Sequence, residues 1–171
     1  MKILLIRHGE TTDNASNILQ GHRHGILSEK GIKQAHERGL KLINTNVDIV
    51  ISSDLGRSIE SANIINSYVK TSQIEEPLLR EKDWGSLTGK DISHYYKGDF
   101  PNDIENDQML FNRAEKLVTK LRKNYTNKTV LLLGHGAINV AIKAVLTKTQ
   151  PDEMMANIPI QENFDQWNWE E

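Results

Sequence analysis

Residues 1–14, MKILLIRHGETTDN, contain the pattern that decides the expected fold. An apolar run from Lys2 to Ile6 ends abruptly at the polar segment Arg7-His8-Gly9. A run of Ile and Leu without a polar face predicts a strand buried on both sides, as in the centre of a parallel sheet. Ligands bind at the carboxyl ends of such strands, so the guanidinium of Arg7 and the imidazole of His8 are expected at the mouth of a site.

A second buried strand with the same kind of polar ending is predicted late in the chain. The run from Thr129 to Leu133, TVLLL, is largely apolar, and Gly134-His135-Gly136 follows it directly. The carboxyl ends of parallel strands lie at one edge of a sheet. The two strand-end histidines are therefore expected to be close neighbours that face one site.

Between these two strands the chain alternates between apolar runs and helical periodicity. Residues 48–52, DIVIS, predict a further buried strand, and residues 72–76 predict a weaker one. Apolar residues recur at helical spacing in four stretches: 28–44, 53–69, 110–124 and 137–146. Residues 12–26 and 95–108 are expected as loops, whereas residues 155–169 predict one or two strands. This order predicts an α/β fold, a three-layer α/β/α sandwich with a mainly parallel, doubly wound sheet.

Size and composition indicate one globular domain over residues 1–171. The formal net charge is −2 and the basic residues form no run, which disfavours a nucleic acid partner and suits a small phosphorylated substrate held by a few cations. The chain has no cysteine, so disulfides, thiolate metal sites and cysteine nucleophiles are excluded. The first apolar run is too short for a secretory signal or a membrane span, so a cytoplasmic monomer or homodimer without a membrane partner is expected.

Four segments place complementary side chains near the predicted strand ends. Arg7 and His8 follow the first strand, Arg57 lies after the second, Glu81 lies in a later loop, and His135 follows TVLLL. Guanidinium forks suit phosphate oxygens, a neutral imidazole is a nucleophile toward phosphorus, and a carboxyl group can protonate a leaving alkoxide. Each residue alone has a structural explanation, but together they favour phosphoryl chemistry.

The strand followed by Arg7-His8-Gly9-Glu10-Thr11 resembles the signature of the histidine phosphatase superfamily, the phosphoglycerate-mutase-like proteins. Three later segments resemble further motifs of that family in the same order: SSDLGR at 52–57, LLREKDWG at 78–85 and GHG at 134–136. LQG at 19–21 and LSEKGIKQA at 27–35 extend the resemblance, which covers most of the chain up to about residue 146.

The resemblance implies a role for each matching residue. His8 is the expected phosphorylated nucleophile and Glu81 the expected proton donor, whereas Arg7, Arg57 and His135 form the expected phosphate pocket. Four further positions are expected to contact the phosphate or the substrate: Asn14, Gln20, Gly21 and Gly136. The resemblance implies no cofactor.

The sequence departs from the family pattern near the expected substrate mouth. Asp13 stands where a Trp is usual, Ile18 where an Arg is common, and the stretch 22–24, His-Arg-His, where an Asp is usual. These departures concern specificity more than chemistry. The alternate histidines of 22–24 have no carboxylate companion and no regular element beneath them, so no metal site is expected.

The favoured function is a metal-independent phosphatase that hydrolyses a small phosphomonoester through phosphohistidine. One alternative is a phosphoglycerate-type mutase. Such mutases usually carry a substantial insertion after the acid loop, the segment that corresponds here to residues 78–85 with Glu81. In this chain only residues 91–110 are present at that place. With so little cover, water is hard to exclude from a phosphoenzyme. The other alternative is a non-catalytic phosphate-binding module, yet both His8 and Glu81 are retained.

Overall fold

A five-stranded sheet forms the centre of the computed structural model, which describes residues 1–98, 100–154 and 167–171. The strands are β1 (Lys2–Arg7), β2 (Ile49–Ser52), β3 (Ser72–Glu75), β4 (Thr129–Gly134) and β5 (Trp167–Glu170). Their order across the sheet is β3-β2-β4-β1-β5, and β1 to β4 are mutually parallel wherever they pair, whereas β5 runs antiparallel to β1. Ile6 pairs with Leu133, which confirms that the two strand ends expected to carry the site are neighbours.

The two central strands are almost completely shielded from solvent. Ile3 to Ile6 of β1 and Val130 to Leu133 of β4 are each at most 1% exposed. Helices therefore cover both faces of the sheet at this point, as the unbroken apolar runs predict.

Within the described ranges the helices are α1 (Thr12–Ala15), α2 (Glu29–Leu42), α3 (Gly56–Val69), α4 (Ser93–Tyr96), α5 (Asp107–Asn124), α6 (Gly136–Thr147) and α7 (Pro151–Met154). One face of the sheet packs against α2 and α3 through a cluster that includes Leu4, Ala35 and Ile65. The other face packs against α5 and α6 through a cluster that includes Leu5, Leu117 and Ile142. The predicted three-layer α/β/α sandwich is confirmed.

Three local predictions were wrong. The expected loop 95–108 overlaps the end of α4 and the start of α5. The expected loop 12–26 contains the four-residue helix α1, which Thr11 and Asn14 cap by exchanging side-chain and backbone hydrogen bonds, and so short a helix has no apolar periodicity. The predicted helix 53–69 begins only at Gly56, because the Ser53 N–H still donates to the Leu133 carbonyl beside the sheet, 3.1 Å away.

The predicted strands over residues 155–169 fall mainly outside the described residues. Their described part contributes to β5, where Trp169 packs against the α5 and α6 side of the core, with the Arg122 guanidinium 5.7 Å from its ring centre. Among the described residues no helix is both long enough and apolar enough to cross a membrane.

Candidate active site

His8 directly follows β1, and its ring nitrogens have distinct environments. Nδ1 lies 2.6 Å from the Gly9 carbonyl oxygen, which can only accept a hydrogen bond, so Nδ1 carries the proton of the neutral ring. Nε2 then presents a lone pair, and the Arg57 Nε–H donates to it at 3.2 Å. The tautomer of His8 is thus fixed by backbone geometry.

The electrostatic surroundings keep His8 neutral. Burial lowers the pKa of His8 well below its ordinary value, and the positive charges of Arg57 and Arg7 lower it further. The hydrogen bond to the Gly9 carbonyl acts in the opposite direction and is the weaker influence. At neutral pH the ring therefore retains the lone pair that nucleophilic attack needs.

Two glycines let the loop after β1 pack directly against α2. A Cβ on Gly9 would lie 2.3 Å from the Gly31 carbonyl oxygen, and a Cβ on Gly31 would lie 2.0 Å from the Glu10 carbonyl oxygen. The Gly9 N–H also donates to Ser61 Oγ at 2.9 Å. The Glu10 carboxylate pairs with Lys30 Nζ at 2.8 Å, so Glu10 anchors this loop to α2.

Arg57 lies in the first turn of α3 and is 1% exposed. Its Nη2 donates to the Gly21 carbonyl at 2.9 Å, and its Nη1 donates to the Arg23 carbonyl. Burial lowers the pKa of Arg57 to about 10, whereas the nearby Glu81 carboxylate acts to raise it. Arg57 therefore remains charged at neutral pH, with its outer nitrogens held by carbonyls and its Nε directed at His8.

Arg7 is the second buried cation of the site. Burial lowers the pKa of Arg7, and the Glu81 carboxylate opposes that shift. Its carbonyl accepts a bond from Arg38 Nη1 at 2.9 Å. A Cβ on Gly136 would lie 3.7 Å from Arg7 Cζ and 3.4 Å from Glu81 Oε2, so this glycine lies close to both charged groups.

Glu81 is held at the N-terminus of α6. Its Oε1 accepts backbone N–H groups from Lys82 at 2.8 Å, Ala137 at 3.0 Å and Ile138 at 3.4 Å. The positive end of the helix dipole adds to these contacts. Oε1 is thus committed to the backbone, which leaves Oε2 for a ligand in the pocket.

His135 follows β4 and is fully buried against His8. The two ring centres are 4.9 Å apart and the ring planes are inclined by 56°. His135 Nε2 lies 2.6 Å from Ser53 Oγ, whereas Nδ1 has no hydrogen-bond partner among the described residues. Burial, followed by the charge of Arg57, lowers the pKa of His135 well below its ordinary value, so this ring is neutral too.

These side chains surround a narrow pocket of about 50 Å³, enough for a few water molecules or one phosphate-sized group. The pocket is lined by Arg7, His8, Asn14, Ile18, Leu19, Gln20, Gly21, Arg57, Glu81, Trp84, Ile92 and Ala137. Three of the lining residues carry charge: Arg7, Arg57 and Glu81. Ile18, Trp84 and Ile92 form its apolar wall.

Two segments join beside the pocket and contribute Ile18 and Ile92 to its apolar wall. The Leu19 N–H donates to the Lys90 carbonyl at 2.9 Å, and the Ile92 N–H donates to the Asn17 carbonyl at 2.8 Å. Ile18 and Asp91 form an isolated antiparallel bridge between the same segments. This backbone ladder holds residues 17–19 and 89–92 together beside the site.

The histidines of the 22–24 stretch have structural partners. His22 Nε2 lies 2.9 Å from the Glu81 carbonyl oxygen, and the Gly56 N–H donates to His24 Nδ1 at 3.1 Å. The loop thus contacts both the acid segment and the start of α3. Across the described part of the chain, no group of three or more His, Cys, Asp or Glu residues could hold a metal ion.

Most of the expected site residues meet at this pocket. Seven of them line it: Arg7, His8, Asn14, Gln20, Gly21, Arg57 and Glu81. Gly136 lies against two of those, whereas His135 lies behind His8 and outside the lining. The Asn14 side chain is engaged in capping α1, and the buried Gln20 Oε1 has no hydrogen-bond partner within the described ranges.

Sequence reasoning missed the polar residues that support the site. Ser53 contacts His135, Ser61 binds the backbone of Gly9, and Arg38 binds the backbone of Arg7. Only Ser53 had a recognisable signal, since it follows a predicted buried strand at the same sheet edge. The other two act across helix faces that look like ordinary polar positions.

Comparison with known proteins agrees with this geometry. The sequence profile described as the histidine phosphatase superfamily (branch 1) matches residues 3–164. An uncharacterized phosphatase, PhoE, of Bacillus subtilis is 33% identical over 150 residues, which cover 85% of this chain and 76% of that protein. A probable phosphoglycerate mutase, GpmB, of Yersinia pestis is 38% identical over 92 residues, which cover 54% of this chain but only 43% of the relative.

Solved structures show the same fold. YhfR of Bacillus stearothermophilus superposes with a TM-score of 0.87 at 24% identity, covering 98% of this chain and 89% of the other. A putative alpha-ribazole-5'-P phosphatase of Escherichia coli superposes with a TM-score of 0.82 at 24% identity, covering 91% of this chain and 84% of the other. The strand-end histidines, the paired arginines and the profile match lead to one conclusion: the chain belongs to branch 1 of the histidine phosphatase superfamily.

Proposed function

We propose that this protein hydrolyses small phosphomonoesters through a phosphohistidine on His8, with Glu81 as proton donor and without a metal. The observation that carries the proposal is the tautomer of His8. Its Nδ1 proton is directed at the Gly9 carbonyl, so Nε2 has a lone pair toward the pocket. A buried, neutral and oriented imidazole suits nucleophilic attack on phosphorus.

The charge of the transferring group is matched by preorganised donors. Arg7 and Arg57 are buried cations in the pocket wall, and His135 lies directly behind the nucleophile. A phosphoryl group in transfer carries negative charge on its three equatorial oxygens, and fixed donors in a site shielded from water stabilise that charge. The two arginines supply the positive charge that a metal ion supplies in other phosphatases.

The reaction proceeds in two balanced steps. His8 Nε2 attacks phosphorus, the ester P–O bond breaks, and the leaving oxygen takes a proton from Glu81. Water then attacks the phosphohistidine, gives a proton to the Glu81 carboxylate, and releases inorganic phosphate together with the neutral histidine. Asn14, Gln20, Gly21 and Gly136 are the proposed contacts for the phosphate and the nearest substrate atoms.

The apolar wall of the pocket favours hydrolysis of esters whose leaving group has no second anionic group. Among the described residues, Arg7 and Arg57 are the cations that line the pocket, and both lie at the proposed phosphate position. A phosphoglycerate has a carboxylate that needs its own cation. Ile18, Trp84 and Ile92 offer none.

A phosphoglycerate-type mutase is the second candidate, and the relatives named GpmB favour it. A mutase must keep water from its phosphoenzyme while the substrate reorients. Between the Glu81 loop and α5, which begins at Asp107, the described residues form one α-helix, the single-turn α4. Hydrolysis is therefore the better proposal.

A panel of phosphomonoesters tests the proposal. Release of inorganic phosphate is measured for an alkyl phosphate, p-nitrophenyl phosphate and 3-phosphoglycerate, each with and without a chelator. Hydrolysis of the first two at rates that the chelator leaves unchanged is expected. Interconversion of phosphoglycerates with little phosphate release would favour the mutase, and no reaction at all would favour a binding module.

Labelling tests the intermediate. Rapid quenching with a phosphate-labelled ester should trap an acid-labile, base-stable adduct, and His8→Ala should reduce kcat by at least about 10³-fold. His36→Ala is the matched control, since His36 is exposed and bonds only Tyr68 among the described residues. An acid-stable adduct, or turnover by His8→Ala at the rate of the control, contradicts the proposal.

A further inference from the structure

Ser53 forms the closest polar contact of His135. Ser53 Oγ lies 2.6 Å from His135 Nε2, and both residues have no solvent exposure. The contact is enforced by the sheet, because the Ser53 N–H donates to the Leu133 carbonyl two residues before His135. Neither side chain can leave without breaking the packing around it.

The direction of this hydrogen bond follows from the other contact of the hydroxyl. Ser53 Oγ already accepts the Leu55 N–H at 3.4 Å. Within the described ranges, the only remaining group at hydrogen-bond distance is the His135 ring nitrogen. A hydroxyl has one proton to donate, and a buried hydroxyl proton without an acceptor is unfavourable. Ser53 therefore donates, and Nε2 accepts.

This direction fixes the proton of His135. The neutral ring has one N–H, and if Nε2 accepts, the proton lies on Nδ1. Nδ1 is the buried ring atom that has no partner within the described part of the chain. The ring that packs against His8 thus keeps one N–H donor that no described residue accepts.

We propose that Ser53 is a positioning residue that holds His135 in the Nδ1–H tautomer, so that this ring donates to a phosphate oxygen. The inference rests on the proposed function. The opposite tautomer would present a lone pair to an anion and repel it. The Gly9 carbonyl holds His8 in the same Nδ1–H tautomer. This tautomer leaves His8 Nε2 with a lone pair for attack, whereas in His135 it leaves Nδ1 with an N–H to donate.

The tautomer is measured directly on the wild-type protein. Nitrogen-15 NMR of the histidine rings distinguishes a protonated from an unprotonated ring nitrogen, and His135 is assigned from a His135→Gln variant. The expected result is a proton on Nδ1 of His135 in the empty enzyme. A proton on Nε2 overturns the proposal, and this readout does not depend on catalysis.

Ser53→Ala tests the consequence for anion binding. Without the hydroxyl, the His135 nitrogen signals should shift toward a tautomer mixture, and the inhibition constant of orthovanadate should rise about tenfold. Ser58→Ala is the matched control, because Ser58 is equally buried and its Oγ donates to the Leu133 carbonyl at 2.7 Å. The control should leave the His135 signals unchanged and the inhibition constant within about twofold.

The outcomes separate the two proposals. Unchanged His135 signals in Ser53→Ala, or equal loss of vanadate affinity in both variants, overturns the role of Ser53. If the wild-type enzyme neither binds vanadate nor hydrolyses any ester, the proposed function fails. In that case the nitrogen-15 spectrum of His135 still shows whether Ser53 donates to Nε2.

Discussion

Replacing Glu81 by glutamine should remove the proposed acid while preserving its contacts. Oε1 of Glu81 accepts N–H groups from Lys82 and from the first turn of α6. The amide oxygen of glutamine accepts the same bonds, so the free energy of unfolding should change by no more than about 1 kcal/mol. The amide nitrogen of glutamine takes the place of Oε2. Unlike a carboxyl group, the amide has no acidic proton to give.

The size of the kinetic effect follows from the leaving group. General acid catalysis contributes about 10² to 10⁴ in rate, or about 2.7 to 5.4 kcal/mol of barrier, when the departing oxygen is a basic alkoxide. Nitrophenolate is a stable anion and needs little protonation. E81Q should therefore lose the full factor on an alkyl phosphate and less than about tenfold on p-nitrophenyl phosphate.

The assay must isolate the first chemical step, because Glu81 is also the proposed base in the second. Single-turnover kinetics with excess enzyme report the formation of the alcohol or of nitrophenolate before water attacks. Glu10→Gln is the control, since Glu10 bonds Ser28 and Lys30 away from the pocket lining. Its first-step rates should change by the same small factor for both substrates.

Equal first-step losses on the two substrates would refute the assignment of Glu81 as the acid. A loss confined to the second step would leave Glu81 as a base only. A drop in the free energy of unfolding much beyond about 1 kcal/mol would show that the glutamine does not keep the Oε1 contacts. In that case the rates of Glu81→Gln are compared with those of Glu81→Ala, which removes the same contacts. A loss of rate shared by both variants on both substrates would then come from the lost contacts and not from the lost proton.

Two further predictions concern stability. Acid should destabilise the fold, since His8 and His135 have pKa values held well below the ordinary 6.5 by burial, whereas the unfolded chain binds protons at both. The free energy of unfolding, measured with urea, should fall by up to about 1.4 kcal/mol per pH unit for each histidine as pH drops below about 6.5, and a flat profile would contradict this. Gly31→Ala should destabilise the protein by about 1 to 3 kcal/mol, because the added Cβ would lie 2.0 Å from the Glu10 carbonyl oxygen. If the space beside Gly31 were open, alanine would instead stabilise the protein by about 1 kcal/mol through helix propensity, and that result would contradict the prediction. Lys33→Ala, on the exposed face of α2, is the control for helix propensity.

The parts of the fold that sequence predicts best are those where one physical signal dominates. β1 and β4 are buried on both faces, so their apolar runs have no competing interpretation, and their neighbouring positions follow from parallel topology. The start of α3 was misplaced because Ser53 and Asp54 resemble a helix cap, whereas tertiary contact with β4 keeps Ser53 extended. A cap residue in sequence does not reveal such a contact.

The candidate site, too, could be predicted from the sequence only in part. Arg7, His8, Arg57 and Glu81 could be placed near strand ends from their order along the chain, and they line one pocket. The contacts that orient them come from residues distant in sequence or from backbone atoms, such as the Gly9 carbonyl on the nucleophile. Sequence patterns report which side chains are available, but not which backbone groups face them.

Arg57 has two roles at the candidate site, one that fixes its own position and one toward His8. Its Nη1 and Nη2 are held by carbonyls of the 21–24 loop, so its position does not depend on a ligand. Its Nε–H points at the Nε2 lone pair of His8 and covers the proposed nucleophilic atom. A phosphate oxygen is a stronger acceptor than a neutral imidazole, because its hydrogen bond to a cation is charge-assisted on both sides. Under the proposed mechanism the substrate takes the Nε–H for itself, and by doing so it exposes the lone pair that attacks it.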